Sequence, residues 1–340
     1  MTPEVSSGGV YGKVFAMKEI FLVVPTIRNL SFLKEWGNQF VDCSLLVIED
    51  HAERRIDTPK KKFKHIYHYC WADIRKDFAQ DEWIFSRRNA GIRSYGFWKA
   101  YKLGADIIIT LDDDCYPAEK DFVRKHLDNL ESYAPGSWFP TFPHPRYMFT
   151  RGFPYGVRNK KRVVISHGLW SGRMDLDAKT ELILGEVNVS PYPSVRQFIP
   201  SGCYFPMSSM NLAFSREAIP LMYFPLMGNS PKGMRWGYDR YDDIWSGIVL
   251  KKIVDHLGLS IVNGSPFVEH RKASDPAKNL EKERKGMKVN ERLWTAVDRV
   301  HLVSRSPASA YRELAKKIIF PKGEYFVALR HAMMLWGRLF

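Results

Sequence analysis

The sequence predicts an α/β fold, a mixed sheet flanked by helices with a helical extension at its C-terminal end. Three observations point to it. Residues 106–117 carry a β-branched apolar run that ends abruptly in Asp112, Asp113 and Asp114, with Pro117 closing the turn. Two strand-then-helix patterns precede that run, and beyond residue 290 helical periods with basic faces take over. A continuous apolar strand that delivers acids to its C-terminal edge belongs in a sheet covered on both faces, where that edge is the ligand-binding side.

Taken in order, residues 1–17 are rich in Ser and Gly and read as a flexible tail. Residues 19–25 form the first buried strand, and residues 26–36 look like the start of a helix, with Asn29 or Ser31 as cap and Phe32, Leu33 and Trp36 on one face. A second strand over 43–50 ends in Asp50, which either accepts a hydrogen bond from a uracil ring or ribose hydroxyl or closes a turn. A helix over 86–103 follows, with Arg88 and Arg93 near its start and available to phosphate. It leads into the acidic strand. Carboxylates at i and i+2, Asp112 and Asp114, can hold a divalent cation against a diphosphate when the turn folds them together.

Residues 139–158 are too rich in Pro, Gly and aromatic residues for regular structure and read as a long loop beside the site. A strand over 163–170 contains His167, which is either a structural hydrogen-bonding group or a ligand. Asn211 follows a Gly/Pro-punctuated approach to another strand and either touches a sugar or closes a turn. Asp242 and Asp243 open a helix, where the macrodipole favours acids and where they can also grip sugar hydroxyls. After a strand over 258–264 comes His270, a good imidazole ligand for Mn²⁺. In the last stretch Phe326, Leu329, Met333, Trp336 and Phe340 recur at three- and four-residue steps. That stripe either docks on the catalytic domain or a sister subunit, or lies in an anionic membrane interface. The organisation expected is a tail over 1–17, a catalytic domain over 18–290 and a basic helical extension over 291–340.

The 340 residues, 45% hydrophobic and 14% aromatic, can bury a large core. No run approaches the roughly 18 apolar residues that span a bilayer, and the start of the chain lacks a signal-type pattern. Cys43, Cys70, Cys115 and Cys203 are widely spaced, without the pairing expected of zinc sites or disulfide frameworks, so they read as reduced. A cytoplasmic protein, or one peripheral on the cytosolic face of a membrane, is expected. The 51 basic residues exceed the 37 acidic ones by 14, and residues 271–340 hold 16 Lys and Arg against 7 Asp and Glu. No helix-turn-helix, zinc-finger or aromatic RNA-binding pattern accompanies the charge, so nucleic acid is not the expected partner.

The absence of GxGxxG and GxxxxGK[ST] removes dinucleotide and P-loop readings, and a GT-A-like, Rossmann-type nucleotide-sugar enzyme fits the pattern better. Seven motifs in order carry a closer resemblance: Pro25-Thr-Ile-Arg-Asn-Leu30, Leu111-Asp-Asp-Asp-Cys115, Arg151-Gly-Phe-Pro154, Ser166-His-Gly-Leu-Trp170, Met210-Asn-Leu-Ala-Phe214, Arg240-Tyr-Asp-Asp-Ile-Trp245 and His270-Arg-Lys-Ala-Ser-Asp-Pro276. Together they resemble the reversibly glycosylated polypeptide, or UDP-arabinopyranose mutase, family. The resemblance implies a UDP-sugar mutase working on UDP-arabinose or a related UDP-sugar with Mn²⁺ or Mg²⁺. A metal-dependent glycosyltransferase acting on an external acceptor, or a non-catalytic basic scaffold, are the alternatives. Asp112, Asp114 and His270 are then the metal candidates. Pro25, Thr26, Arg28, Asp50, Arg88, Arg93, Asp112, Asp113, His167, Trp170 and Asn211 are the UDP-sugar candidates, and Arg151, Arg158, Asp242 and Asp243 the catalytic ones. The resemblance also implies that an arginine of the 139–158 loop carries a sugar. Arg151 lies in the better-matched motif, whereas Arg158 lies where the family's Leu-Arg-Glu-Gly has become Val-Arg-Asn-Lys.

Overall fold

The computed structural model describes residues 18–60, 62–136, 138, 149–158, 160–190, 195–271 and 275–340. The tail expected over 1–17 and the 139–148 part of the expected loop lie outside them.

Three strands open the chain, β1 (Ile20–Thr26), β2 (Cys43–Glu49) and β3 (Ile66–Tyr69), followed by helices α1 (Trp71–Phe78) and α2 (Arg93–Lys102). Next come β4 (Ile107–Leu111), β5 (Cys115–Pro117), α3 (Phe122–Leu130), β6 (Tyr133–Ala134), β7 (Lys161–Arg173), α4 (Ala178–Leu184), β8 (Asn188–Val189), β9 (Arg196–Phe198) and β10 (Asn211–Ser215). The chain then forms α5 (Asp242–His256), β11 (Ser260–His270), α6 (Pro276–Asp298), α7 (Pro307–Lys317) and α8 (Glu324–Gly337).

The result is the mixed α/β sheet expected, ordered β3-β2-β1-β4-β10-β7-β11-β5, with β6 and β8 paired to β7 and β9 to β11. Strands β3, β2, β1 and β4 run parallel, and β10 is antiparallel to both of its neighbours. Successive side chains point to opposite faces. Phe21, Val23, Leu46 and Ile48 therefore enter one apolar cluster, and Ile20, Leu22, Val24, Leu45 and Val47 the other. Burial on both faces is why these strands read as unbroken apolar runs. Helix α2 lies close on the sheet because Gly96 has no side chain: a Cβ there would meet Val23 Cγ1 at 2.7 Å and Ile48 Cγ1 at 2.9 Å.

Several boundaries differ from the sequence reading. The helix expected after β1 is a single 3₁₀ turn, Ser31–Lys34, because Asn29 Oδ1 accepts the Ser31 N–H at 2.9 Å and a left-handed Gly37 ends the segment. The helix expected from residue 86 begins at Arg93, since Arg88 is left-handed and the Asn89 side chain captures the Gly91 N–H at 2.7 Å. Strand β7 runs on to Arg173, and β11 continues past a register break between Gly264 and Val268 to His270.

The boundary expected at residue 291 falls inside α6, whose start is capped by Asp275 with Pro276 at the first helical position. Leu293, Val297, Leu314, Phe326, Leu329, Met333 and Trp336 all join the same cluster as α2 and α5. The C-terminal stripe docks on the α/β body: Trp336 donates to the Pro220 carbonyl at 2.9 Å and Tyr325 to the Leu226 carbonyl at 2.7 Å. Its apolar face is therefore covered by protein and is not presented to a membrane. Among the described residues no helix is long and apolar enough to cross a bilayer, and the four cysteines are free thiols.

Candidate active site

Two adjoining cavities, about 500 and 620 Å³, open at the C-terminal edge of β1, β2 and β4. Both are lined by Arg28, Arg88, Asn89, Asp112 and Asp114. The wider one adds Pro25, Thr26, Asp50, Arg93 and Asp113, and the narrower one adds Asp242, Asp243 and His270.

The three acids after β4 have three different surroundings. Asp112 Oδ1 accepts from Arg93 Nη2 at 2.5 Å. That guanidinium is buried and also donates to the Ser209 carbonyl at 2.9 Å and to Thr110 Oγ1 at 3.2 Å. Asp113 turns toward β1, where it accepts from Thr26 Oγ1 at 2.6 Å and from the Arg28 guanidinium, Nε at 3.2 Å and Nη2 closer. Asp114 forms no such close pair. Its Oδ2 is 3.6 Å from Arg28 Nη2 and its Oδ1 is 4.0 Å from His270 Nε2. Burial, with the charges of Asp112 and Asp113, pushes its carboxyl up to about 6 against the pull of His270 and Arg28.

His270 ends β11, and its Nδ1 lies 2.8 Å from the Arg173 carbonyl. A carbonyl only accepts, so Nδ1 carries a proton, and Nε2 lies on the Asp114 side. Two carboxylates and an imidazole suit a divalent cation such as Mn²⁺. Among the described residues no three His, Cys, Asp or Glu side chains close into a ready-made cage, so an ion here requires further oxygens from its ligand.

In the wider cavity Asp50 takes the second of its two expected roles, that of a turn residue. Its Oδ1 accepts from Trp71 Nε1 at 2.7 Å, and the carboxyl also takes backbone N–H groups of Arg88 and Asn89. Burial pushes it up to about 6 despite these bonds. Asp50 therefore builds the turn that presents Arg88, which has φ +59° and an exposed side chain. Its oxygens are bound within the protein rather than offered to a base or ribose.

The two acids that open α5 also part ways. Asp243 Oδ2 accepts from the Ser209 N–H and Oγ, both at 3.0 Å, and Oδ1 from the Ile244 N–H at 2.9 Å. Asp242 Oδ1 accepts from the Asp243 N–H at 3.2 Å, while its buried Oδ2 has no partner among the described residues. Burial, then the charges of Asp243 and Asp239, pushes Asp242 up to about 7. Pairing and isolation therefore separate two residues that are adjacent in sequence. Asp243 anchors the loop that also holds Arg93, and Asp242 lines the narrower cavity with one oxygen left unbonded beneath its wall.

Several expected residues lie elsewhere. Asn211 is fully buried, with Nδ2 donating to the Leu169 and Pro266 carbonyls at 2.9 and 2.8 Å and Oδ1 facing His126 Nε2 at 3.0 Å, so it serves the core and not a sugar. His167 is buried between Asn263 Oδ1 at 2.7 Å and the Ser208 N–H at 3.0 Å, which leaves neither ring nitrogen for a ligand. Burial lowers its pKa. Trp170 lines neither cavity. Nor do Arg151 and Arg158: Arg151 is exposed, and Arg158 stacks over Tyr155 at 3.8 Å and donates to the Phe153 carbonyl at 3.2 Å.

The sequence reading missed Asp175, Ser209, Asp239, Arg240 and Lys282 as cavity residues. Asp239 and Arg240 immediately precede the acids of α5, which was an available signal. Lys282 comes from α6, and no local pattern marks it.

A family model described as "Reversibly glycosylated polypeptide" matches residues 15–340. The chain is 35% identical over 334 residues to the "Probable UDP-arabinopyranose mutase 2" of Solanum tuberosum, covering 94% of this chain and 88% of that protein. It is 33% identical over 352 residues to the "UDP-arabinopyranose mutase 1" of Oryza sativa, covering 98% and 94%. Among solved structures, glucosyl-3-phosphoglycerate synthase from Mycobacterium tuberculosis, in complex with Mn²⁺, UDP-glucose and phosphoglyceric acid, is 14% identical. It covers 81% of this chain and 80% of that one with a TM-score of 0.41, and no residue role is transferred from it. With a family match over nearly its whole length and relatives a third identical across nine-tenths of it or more, the chain belongs to the reversibly glycosylated polypeptide family.

Proposed function

We propose that this chain interconverts the pyranose and furanose forms of UDP-arabinose, or of a closely related UDP-sugar. The observation that carries the reading is a cavity lined at once by the Asp112, Asp114 and His270 cluster and by Asp242, whose buried Oδ2 has no partner among the described residues. Relatives that bear the name UDP-arabinopyranose mutase at 33–35% identity support it.

Changing a six-membered ring to a five-membered one requires the anomeric C–O bond to UDP to break, another hydroxyl of the same sugar to bond to that carbon before the bond to the first ring oxygen breaks, and UDP to return to the same carbon. UDP must stay bound throughout. Arg28 and Arg88 supply positive charge to the diphosphate, and Asp112, Asp114 and His270 would hold the divalent cation. When bound, Mn²⁺ or Mg²⁺ neutralises the charge that builds on the departing diphosphate. Asp242, with a pKa pushed up to about 7, is poised to take the proton of the hydroxyl that bonds to the anomeric carbon and to give it to the first ring oxygen as that C–O bond breaks. Arg93 and Asp243 fix the geometry from behind.

Attachment of a sugar to Arg151 or Arg158 is a separate event in this reading, because neither lines the cavity. The four unpaired thiols support a cytosolic setting.

Incubation with UDP-arabinopyranose and Mn²⁺, followed by chromatography, should yield UDP-arabinofuranose without net loss of UDP-sugar. Release of UDP only when an external acceptor is added would replace the mutase with a transferase.

A further inference from the structure

Five described residues other than glycine have left-handed backbone: Lys62, Ala79, Arg88, Asp121 and Arg240. Side chains rarely adopt this conformation, and it persists where the surroundings over-determine it, often at ligand sites. Two of the five are arginines, and both line the narrower cavity. Asp50 accounts for Arg88. Arg240, with φ +65°, immediately precedes the N-terminal residues of α5.

Arg240 is held from two sides. Its N–H donates to Asp239 Oδ1 at 3.0 Å, and its Nε donates to Glu283 Oε1 at 2.8 Å. Glu283, on α6, is itself buried, and its second oxygen accepts the N–H of Ala178 at the start of α4 at 2.9 Å. One buried carboxylate thus fixes both the arginine and the neighbouring helix. With Nε committed backward, the planar guanidinium is oriented by a group that has no contact with the cavity, which is how a fork is pre-set for a ligand.

The surrounding wall is chemically mixed. Lys282 Nζ lies 3.7 Å from Asp239 Oδ2, and Arg240 Nη2 lies 3.8 Å from Asp175 Oδ1. Counting Glu283, two cations face three carboxylates, so this wall has no net attraction for a second anion. It offers donors and acceptors in alternation, as a polyhydroxylated neutral group requires. The same cavity is also lined by Arg28, Arg88, Asp112 and Asp114.

We infer that Arg240 is a specificity-determining residue that reads the hydroxyls of a neutral sugar joined to the diphosphate, with Glu283 as its positioning residue. The inference rests on the reading of this cavity as a UDP-sugar site. It separates the roles of the arginines: Arg28 and Arg88 serve the diphosphate, and Arg240 serves the sugar.

Calorimetry on the full chain with Mn²⁺, titrating UDP and then UDP-arabinopyranose, tests it. Arg240→Lys and Arg240→Ala should leave UDP affinity close to wild type. They should weaken UDP-arabinopyranose binding roughly tenfold to a hundredfold, the range for a hydrogen bond to a charged group, with KM rising more than kcat falls. Glu283→Gln should lower the same UDP-sugar to UDP ratio, which a merely structural role would not move. Equal weakening of UDP and UDP-arabinopyranose would make Arg240 a diphosphate clamp and overturn the inference. Unchanged binding of both in Arg240→Ala would overturn it too, and if that variant fails to fold, the ratio in Arg240→Lys decides. Wild-type protein that binds neither ligand would overturn the reading of the site itself, and the inference with it.

Discussion

The two acidic runs that share the cavity were built by different local rules and end with the same division of labour. After β4 the run arrives on a strand, and arginines from elsewhere take two of its three members, Arg93 for Asp112 and Arg28 for Asp113. At the start of α5 the pair arrives on a helix, and backbone N–H groups together with Ser209 take Asp243. Each run leaves one acid without a close partner, Asp114 in the first and Asp242 in the second. Most acids in such a run are therefore held by the protein itself, and one is left over for the chemistry proposed above. In both runs the leftover acid has its pKa raised by burial, to about 6 and about 7.

The sharpest way to break this comparison is to exchange the fates of the α5 pair. Asp242→Asn should lower kcat about a hundredfold or more, as loss of an acid–base group does, while thermal stability holds or rises because a buried carboxyl is removed. Equal loss of activity and melting temperature would show Asp242 to be structural. For the strand run, Asp114→Asn should weaken Mn²⁺-dependent UDP binding by roughly a hundredfold, at or above the upper end for a disturbed metal shell. Identical UDP titrations with and without Mn²⁺, in wild type and variant alike, would remove the metal from the site.

Asp243→Ala should act on stability instead, by about 1–3 kcal/mol, because it leaves the buried Ser209 N–H without an acceptor. Chemical denaturation reads that directly, and a wild-type midpoint would deny Asp243 its anchoring role. The pH dependence gives a smaller effect. Asp242 has a folded pKa raised to about 7, so the folded state holds its proton more tightly than the unfolded chain does. The stability this gives is whole below the ordinary carboxylate value of about 3.9 and is lost as pH rises through about 7. Metal-free wild type should thus lose more melting temperature than Asp242→Asn between about pH 5 and about pH 8. Parallel curves would mean that Asp242 titrates normally. The smallest effect concerns Arg151 and Arg158. Arg151→Lys and Arg158→Lys should leave interconversion essentially unchanged by chromatography, whatever intact mass shows about attached sugar, and abolished turnover in either would place that arginine at the reacting carbon.

The acids themselves were legible in the sequence because each run interrupts a strong period, the apolar strand before Asp112 and the helical repeat after Asp243. Their roles were not, because an acid's role depends on which distant group captures its oxygens. Arg28 reaches Asp113 from the end of β1, and Ser209 reaches Asp243 from the approach to β10. The last half of β11 was hidden for a similar reason. Gly264, Ser265 and Pro266 look like a loop, yet Asn129 takes the Ser265 carbonyl at 2.7 Å and Asn211 takes that of Pro266 at 2.8 Å. These buried amides satisfy the carbonyls at the register break, and the strand can then resume toward His270. That is also why Asn211, placed at the sugar from its motif, belongs to the core.

The docking of α8 bears on the order in which the protein can assemble. Trp336 and Tyr325 bond to carbonyls of residues 220 and 226 and sit in the same cluster as the helices against β1 and β2. During synthesis the half that carries β1, β2 and β4 emerges long before these side chains do, and it waits with an uncovered apolar face until residue 336 has left the ribosome. Fusions or truncations at this end therefore act on yield and aggregation of the whole chain, through a nascent surface that remains open to chaperones until the last helix closes it.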